Sequence, residues 1–300
     1  MLFVPANSPV IDGVITRERL NSYVSVFGCT NDDQAMGAYY WNIALCSALY
    51  NLITAAEVTV RNSVDVALQP ALGTRWWSGS KLHYKSYAAG ASAPDPVKKL
   101  KDNFASAHRS AKKEKEKRYG IIGATPSHHE VIAKTDFSTW EYILDEEFLC
   151  PVSIWPKHLR KVFRGTWPSP SDKVTLRTAR EAVADIRLFR NRVHHNEPAW
   201  KAHGVLNAED AVQYVQGKIL KIFNFIELIE PSKADVLRRS GVLAHANRIA
   251  SVAEIRRYQK QSAPLNIKPK GKMMKLFSDD EATVAVVRGR TKRLFIVQPL

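Results

Sequence analysis

Apolar residues recur at steps of three and four along most of this chain, the period of helices with one buried face. The clearest stripe is Ala38, Trp41, Leu45, Leu49, Ile53, Ala56, Val60 and Val64, which predicts one long helix over residues 34–68. Its length exceeds that of most globular helices, so a kink near Asn51 would fit. A second stripe, Leu176, Ala179, Ala182, Val183, Ile186, Phe189 and Val193, predicts a helix that begins after the capping pair Ser171-Asp172. It should stop at Glu197, because the residue before Pro198 is pushed out of the helical region. A third stripe, from Ala211 through Val215, Ile219, Ile222, Phe223, Ile226 and Leu228, predicts a closing helix over 208–229, ended by Pro231. Thr16 should cap a shorter helix through Leu20, Tyr23 and Val24 that Gly28 interrupts, and Asp136 precedes a helix reaching Leu144. Near the C-terminus the period changes to two: residues 283–288 and 292–297, on either side of Gly289, allow a short basic β-hairpin. The fold class expected is all-α.

Between the stripes, residues 86–96 and 120–129 read as loops, and 261–272 as a linker. Trp76 and Trp77 read as core plugs. The pair His128-His129 falls in the second loop with no cysteine or acid at ligand spacing, so an exposed loop is favoured over a metal site. Cys29, Cys46 and Cys150 are few and unpatterned, as in a reducing cytosol. No run of eighteen or more apolar residues stands out, and the first residues lack the basic start of a secretory leader. A cytoplasmic protein with no membrane partner is expected. The formal net charge of +15 is concentrated. Residues 98–118 hold nine Lys/Arg against three acids, and residues 256–293 hold eleven against three. Such concentration suits a polyanion, with nucleic acid first. Lys98, Lys99, Lys112, Lys113, Lys115, Lys117, Arg118, Arg288, Arg290, Lys292 and Arg293 are the candidate RNA-binding cations. A pair of solvated faces is the plainer alternative.

Candidate chemistry sits at the end of the second stripe, in Leu188-Phe189-Arg190-Asn191-Arg192-Val193-His194-His195-Asn196-Glu197-Pro198. Asn191 and His195 are four apart and share a helix face, with Arg190 beside them. Arginine and histidine near a helix C-terminus can simply interact with its dipole. The longer run Arg-Asn-x-x-x-His, followed by Glu-Pro, resembles the signature of the HEPN superfamily, and more narrowly that of Abi-like abortive-infection proteins of the AbiD/AbiF type. Arg190, Asn191 and His195 fall on that family's arginine, asparagine and histidine. His194 occupies a place that is usually small, and Asn196 stands where the family has a second histidine. Weaker likenesses follow in order: Tyr39-Tyr40-Trp41-Asn42, Ala56-Glu57-Val58-Thr59-Val60-Arg61-Asn62, the segment around Trp140, and Ile154-Trp155 with Phe163. The resemblance spans residues 14–232, with 98–118 as a basic insertion and 233–300 as a basic C-terminal extension outside it.

The resemblance implies a HEPN-like helical bundle and a metal-independent endoribonuclease, acting as a toxin or antiphage effector, with no cofactor. Arg190, Asn191 and His195 would be catalytic, and His194, Glu57 and Arg61 are candidates for supporting roles. The residue types fit the chemistry. An imidazole titrates near neutrality and can move a proton. A guanidinium keeps its charge and grips a phosphate by parallel hydrogen bonds. Attack by the ribose 2′-hydroxyl would leave a 2′,3′-cyclic phosphate. One motif supplies one histidine where an acid and a base are needed, so a homodimer with a composite site is implied. RNA is the expected substrate, with a regulatory RNA or an antitoxin as further partners. A non-catalytic RNA-binding protein on the same scaffold is the alternative.

Overall fold

The computed structural model describes residues 13, 15–78, 82–88, 90–259, 265–267, 283–288 and 292–297. Helix accounts for 69% of what is interpretable, which makes the fold all-α. The helices are α1 (Arg17–Phe27), α2 (Asp32–Leu72), α3 (Asp95–Tyr119), α4 (His128–Ala133), α5 (Phe137–Ile143), α6 (Leu159–Val162), α7 (Asp172–His194), α8 (Ala208–Ile229), α9 (Pro231–Arg239), α10 (Val242–Ile249) and α11 (Val252–Tyr258). In the C-terminal segment β1 (Leu265–Ile267) runs parallel to β2 (Thr283–Arg288), which pairs antiparallel with β3 (Lys292–Val297) in the order β1-β2-β3. The hairpin register sets Arg288 opposite Lys292.

The chain forms two compact units, each built from separate stretches of sequence. The first takes Met1–Leu52, Asn191–Leu220 and Leu237–Leu300, and the second Ile53–Arg190 and Lys221–Val236. Residues of α2, α7, α8 and α9 are therefore divided between them.

In the first unit, α1 starts at Thr16, whose hydroxyl accepts from the Arg19 N–H, and stops at Gly28 in the left-handed conformation. Its inner face meets an aromatic cluster: Tyr23 and Phe27 lie 5.2 and 4.7 Å from Trp200, and Phe27 lies 5.4 Å from Trp41. These are edge-on contacts, the arrangement ring quadrupoles favour. Helix α2 carries Ala38, Trp41, Leu45 and Leu49 into this core, all but fully buried. Trp41 donates to the Ile249 carbonyl at 2.7 Å, fastening α10. Gly37 lets α11 approach closely, since a Cβ there would meet the Tyr258 carbonyl oxygen at 2.2 Å. Buried Glu254 joins Arg248 at 2.8 Å and also binds Arg257.

In the second unit, the stripe continues as Ile53, Ala56, Val60 and Val64, and α7 buries Leu176, Ala179, Val183, Ile186 and Phe189. Trp76 and Trp77 are core residues, as their composition suggested; Trp77 stacks on Phe104 of α3 at 4.8 Å. The basic segment is thus a working core helix: α3 buries Val97, Leu100, Phe104, Ala107 and Ala111 along one face.

One expectation about length and apolarity is corrected. Helix α2 holds an 18-residue window long and apolar enough to cross a membrane by composition, and it does so among the described residues alone. The window escapes a count of strictly apolar residues because Asn51, Glu57 and small or hydroxyl-bearing residues interrupt it. Half of it is buried inside the protein.

Candidate functional site

The motif stripe ends earlier than the proline suggests. Helix α7 closes at His194, and Asn196 takes a left-handed conformation with φ 49°. The Asn196 N–H then reaches the Val193 carbonyl at 3.1 Å, and the Glu197 N–H reaches that of Arg192 at 3.0 Å. This is the Schellman pattern, which satisfies carbonyls that a helix end would otherwise leave open. Asparagine enters the left-handed region more readily than other side chains with a Cβ. Asn196 is therefore the stop residue, and Glu197 lies beyond it. His195 keeps the helical spacing, its N–H donating to the Asn191 carbonyl at 3.1 Å.

Within the first unit, Asn191, His194, His195, Asn196 and Glu197 are all exposed. The His194 ring lies 6.4 Å from Tyr50 and 5.6 Å from the His195 ring, nearly perpendicular to the latter. The segment that follows is held from beneath by Asn42, which is fully buried. Its amide nitrogen donates to the Glu197 carbonyl at 3.3 Å, and its oxygen accepts from the Ala199 N–H at 2.9 Å. Arg19 donates to the Asn196 carbonyl at 3.2 Å, and Arg192 donates to the Lys201 carbonyl. In the sequence Asn42 stands out only as part of Tyr39-Tyr40-Trp41-Asn42 in the resemblance. The signal for its role was an amide on the core face of an apolar stripe, since a buried amide must find partners.

Within the second unit, Arg190 meets Glu57 at 3.6 Å through its Nε, an ion pair too long for a hydrogen bond. Glu57 also binds Arg61 at 2.8 Å. The Glu57 and Arg61 side chains are 14% and 16% exposed and that of Arg190 31%, so two cations share one acid in a half-buried place. The nearest approach of Arg190 to Glu57 is through Nε.

A second polar cluster of this unit overturns the loop assignment of His128. That residue opens α4 and is buried. Its Nε2 lies 2.8 and 3.0 Å from the two oxygens of Asp65, which also accepts from Trp76 Nε1 at 2.7 Å. His128 Nδ1 accepts the Arg75 N–H at 3.1 Å. The acid partner lies 63 residues away in sequence, which spacing rules cannot see. Asp65, His128 and His129 offer ligand atoms within 4.8 Å of one another. The hydrogen bonds argue against an ion there: with Nδ1 accepting, Nε2 carries the hydrogen and gives it to Asp65, so the ring has no lone pair to spare. A separate groove of about 480 Å³, lined by Trp167, Ala182, Ile186, Phe225 and Leu228 among others, contains none of the candidate site residues.

The candidate cations of α3 divide sharply. Lys112 and Lys115 are half-buried and pair with Glu116 at 3.9 Å and Glu130 at 3.1 Å. Lys98, Lys99, Lys113, Lys117 and Arg118 are exposed. Arg288, Lys292 and Arg293 lie on the backbone of β2 and β3, and Arg290 lies outside the described residues.

Compared with models of known families, with curated proteins and with solved structures, the chain gave no match.

Proposed function

We propose that the protein is a metal-independent endoribonuclease of HEPN type, similar to Abi-like effectors, and that two copies assemble a composite site from Arg190, Asn191 and His195 of each. The reading rests on the Arg-Asn-x-x-x-His run and on one observation that supports it: Asn191 and His195 stand exposed at the end of α7 rather than sealed in a core. A substrate strand could reach them.

The division of labour follows from the side chains. One protomer's His195 takes the proton of a ribose 2′-hydroxyl, which attacks the adjacent phosphorus. The partner's imidazole gives a proton to the departing 5′-oxygen. Arg190, oriented by Glu57 through Nε, turns its terminal amino groups to the phosphate oxygens as charge builds on them. Asn191 hydrogen-bonds ribose or imidazole. A 2′-hydroxyl is required, so DNA is not a substrate.

The test uses purified full-length protein and single-stranded RNA. His195→Ala should abolish cleavage while its sedimentation stays that of the wild type. Undiminished cutting by that variant removes the assignment. Binding without cutting by the wild type favours a non-catalytic RNA-binding protein.

A further inference from the structure

We infer that the outward face of α3 is a track for the phosphodiester backbone of single-stranded RNA, distinct from the α7 motif; the choice of RNA rests on the nuclease reading. Helix α3 buries one face, and the opposite face carries Lys98, Arg109, Lys113 and Lys117, all exposed. Steps of four residues put Arg109, Lys113 and Lys117 on one line, each about 6 Å further along the axis. From Lys98 to Lys117 the line runs for about 28 Å at 1.5 Å per residue.

Two observations separate this line from an ordinary solvated helix face. The first concerns where the acids are. Glu114 is taken by Lys134, Glu116 by Lys112 and Glu130 by Lys115, whereas none of the four line cations has an ion-pair partner among the described residues. Internal pairing therefore consumes Glu114, Glu116 and Glu130; of the acids within the row only Asp102, exposed one turn beyond Lys98, offsets it, and the charge from Arg109 to Lys117 is left unspent. A polyanion neutralises such a row favourably because its condensed counterions are released. The second concerns shape. Between the cations lie Asp102, Ala105, Ser106 and Ser110, all exposed and all short, so nothing bulky stands between the row and a strand. At the end of the helix Tyr119 is 58% exposed, an aromatic face on which an unstacked base can rest. Exposed large apolar residues, Tyr119, Ile121 and Ile122, stand only at the end of the row and make no apolar helix face that could lie in a lipid surface, which favours nucleic acid over a membrane.

The experiment measures binding of a fluorescein-labelled oligouridylate to full-length His195→Ala protein across a salt series, so that the probe is not cut. In that background Arg109→Ala/Lys113→Ala/Lys117→Ala should lower the slope of log affinity against log salt by about 2, three contacts at ~0.7 each, or about a hundredfold per decade of salt. The charge-preserving Arg109→Lys/Lys113→Arg/Lys117→Arg should keep the wild-type slope, and circular dichroism should show both variants folded. An unchanged slope in the alanine variant overturns the inference, even where the wild type cleaves RNA. Loss of slope in a protein that never cleaves RNA upholds the track and removes only the nuclease. Equal loss in both variants, or binding of phosphatidylserine vesicles with none of the oligouridylate, also overturns it.

Discussion

At the scale of single residues, the end of α7 shows how a polar side chain can serve the backbone rather than chemistry. Asn196 stands where the resemblance expects a histidine, and its left-handed φ of 49° explains the choice. Substitution Asn196→Gly should leave stability unchanged or slightly raised, because glycine enters that region freely. Asn196→Val should lose about 1–2 kcal/mol, the usual cost of a left-handed conformation with a Cβ. Urea unfolding of the two variants checks this, and equal stabilities would show that the cap does not set the helix end. Asp65 serves the interior in the same way. Asp65→Ala strands the Trp76 indole and the His128 ring without their acceptor, so about 3 kcal/mol should be lost. Asp65→Asn keeps one acceptor and should lose less. A loss below about 1 kcal/mol for Asp65→Ala would mean that the network contributes little.

Elements were legible in proportion to their periodicity. Helices α2, α7 and α8 carry stripes of many turns, and every stripe residue of α2 named from the sequence is buried. Helix α4 has only six residues, too few to show a period, and it follows the turn-like Gly120–Pro126 stretch. Its one local signal was the capping box Ser127–Glu130, where each residue binds the other's backbone N–H. The contacts that matter most to it, with Asp65 and Arg75, come from remote sequence, which no local pattern encodes. The same limit hid Asn42 beneath the Glu197 carbonyl. The capping box makes a pH prediction. The Glu130 carboxyl is pulled from 4.5 to about 2, first by the Ser127 N–H and then by Lys115 and the Ser127 hydroxyl, with desolvation opposing. A depressed carboxylate adds stability that is complete above its unfolded value and is lost as pH falls from 4.5 towards 2. Glu130→Gln should therefore flatten the fall of stability across that window, as read by urea midpoints at successive pH values. A curve parallel to the wild type would contradict it.

At the scale of the whole molecule, the basic charge and the α7 motif have separate tasks in this account: one holds a strand, the other breaks it. Charge excess was plain in the composition, yet only the fold sorts cations spent on internal pairs from those left outward. The proposed motif is read from its spacing alone, whereas the proposed pairing of two copies is a matter of assembly and has no local signature. Mixed dimers with one His195→Ala protomer should lose most cleavage if each cut takes one imidazole from each copy; half the wild-type rate would mean that each protomer works alone. Chelation of divalent ions should leave the rate unchanged. The most direct measurement is end-group analysis of single-stranded RNA treated with the purified wild type and with His195→Ala. The account predicts 2′,3′-cyclic phosphate and 5′-hydroxyl ends from the wild type and intact RNA from the variant. Ends bearing a 5′-phosphate, or cyclic phosphate formed equally by both proteins, would contradict it.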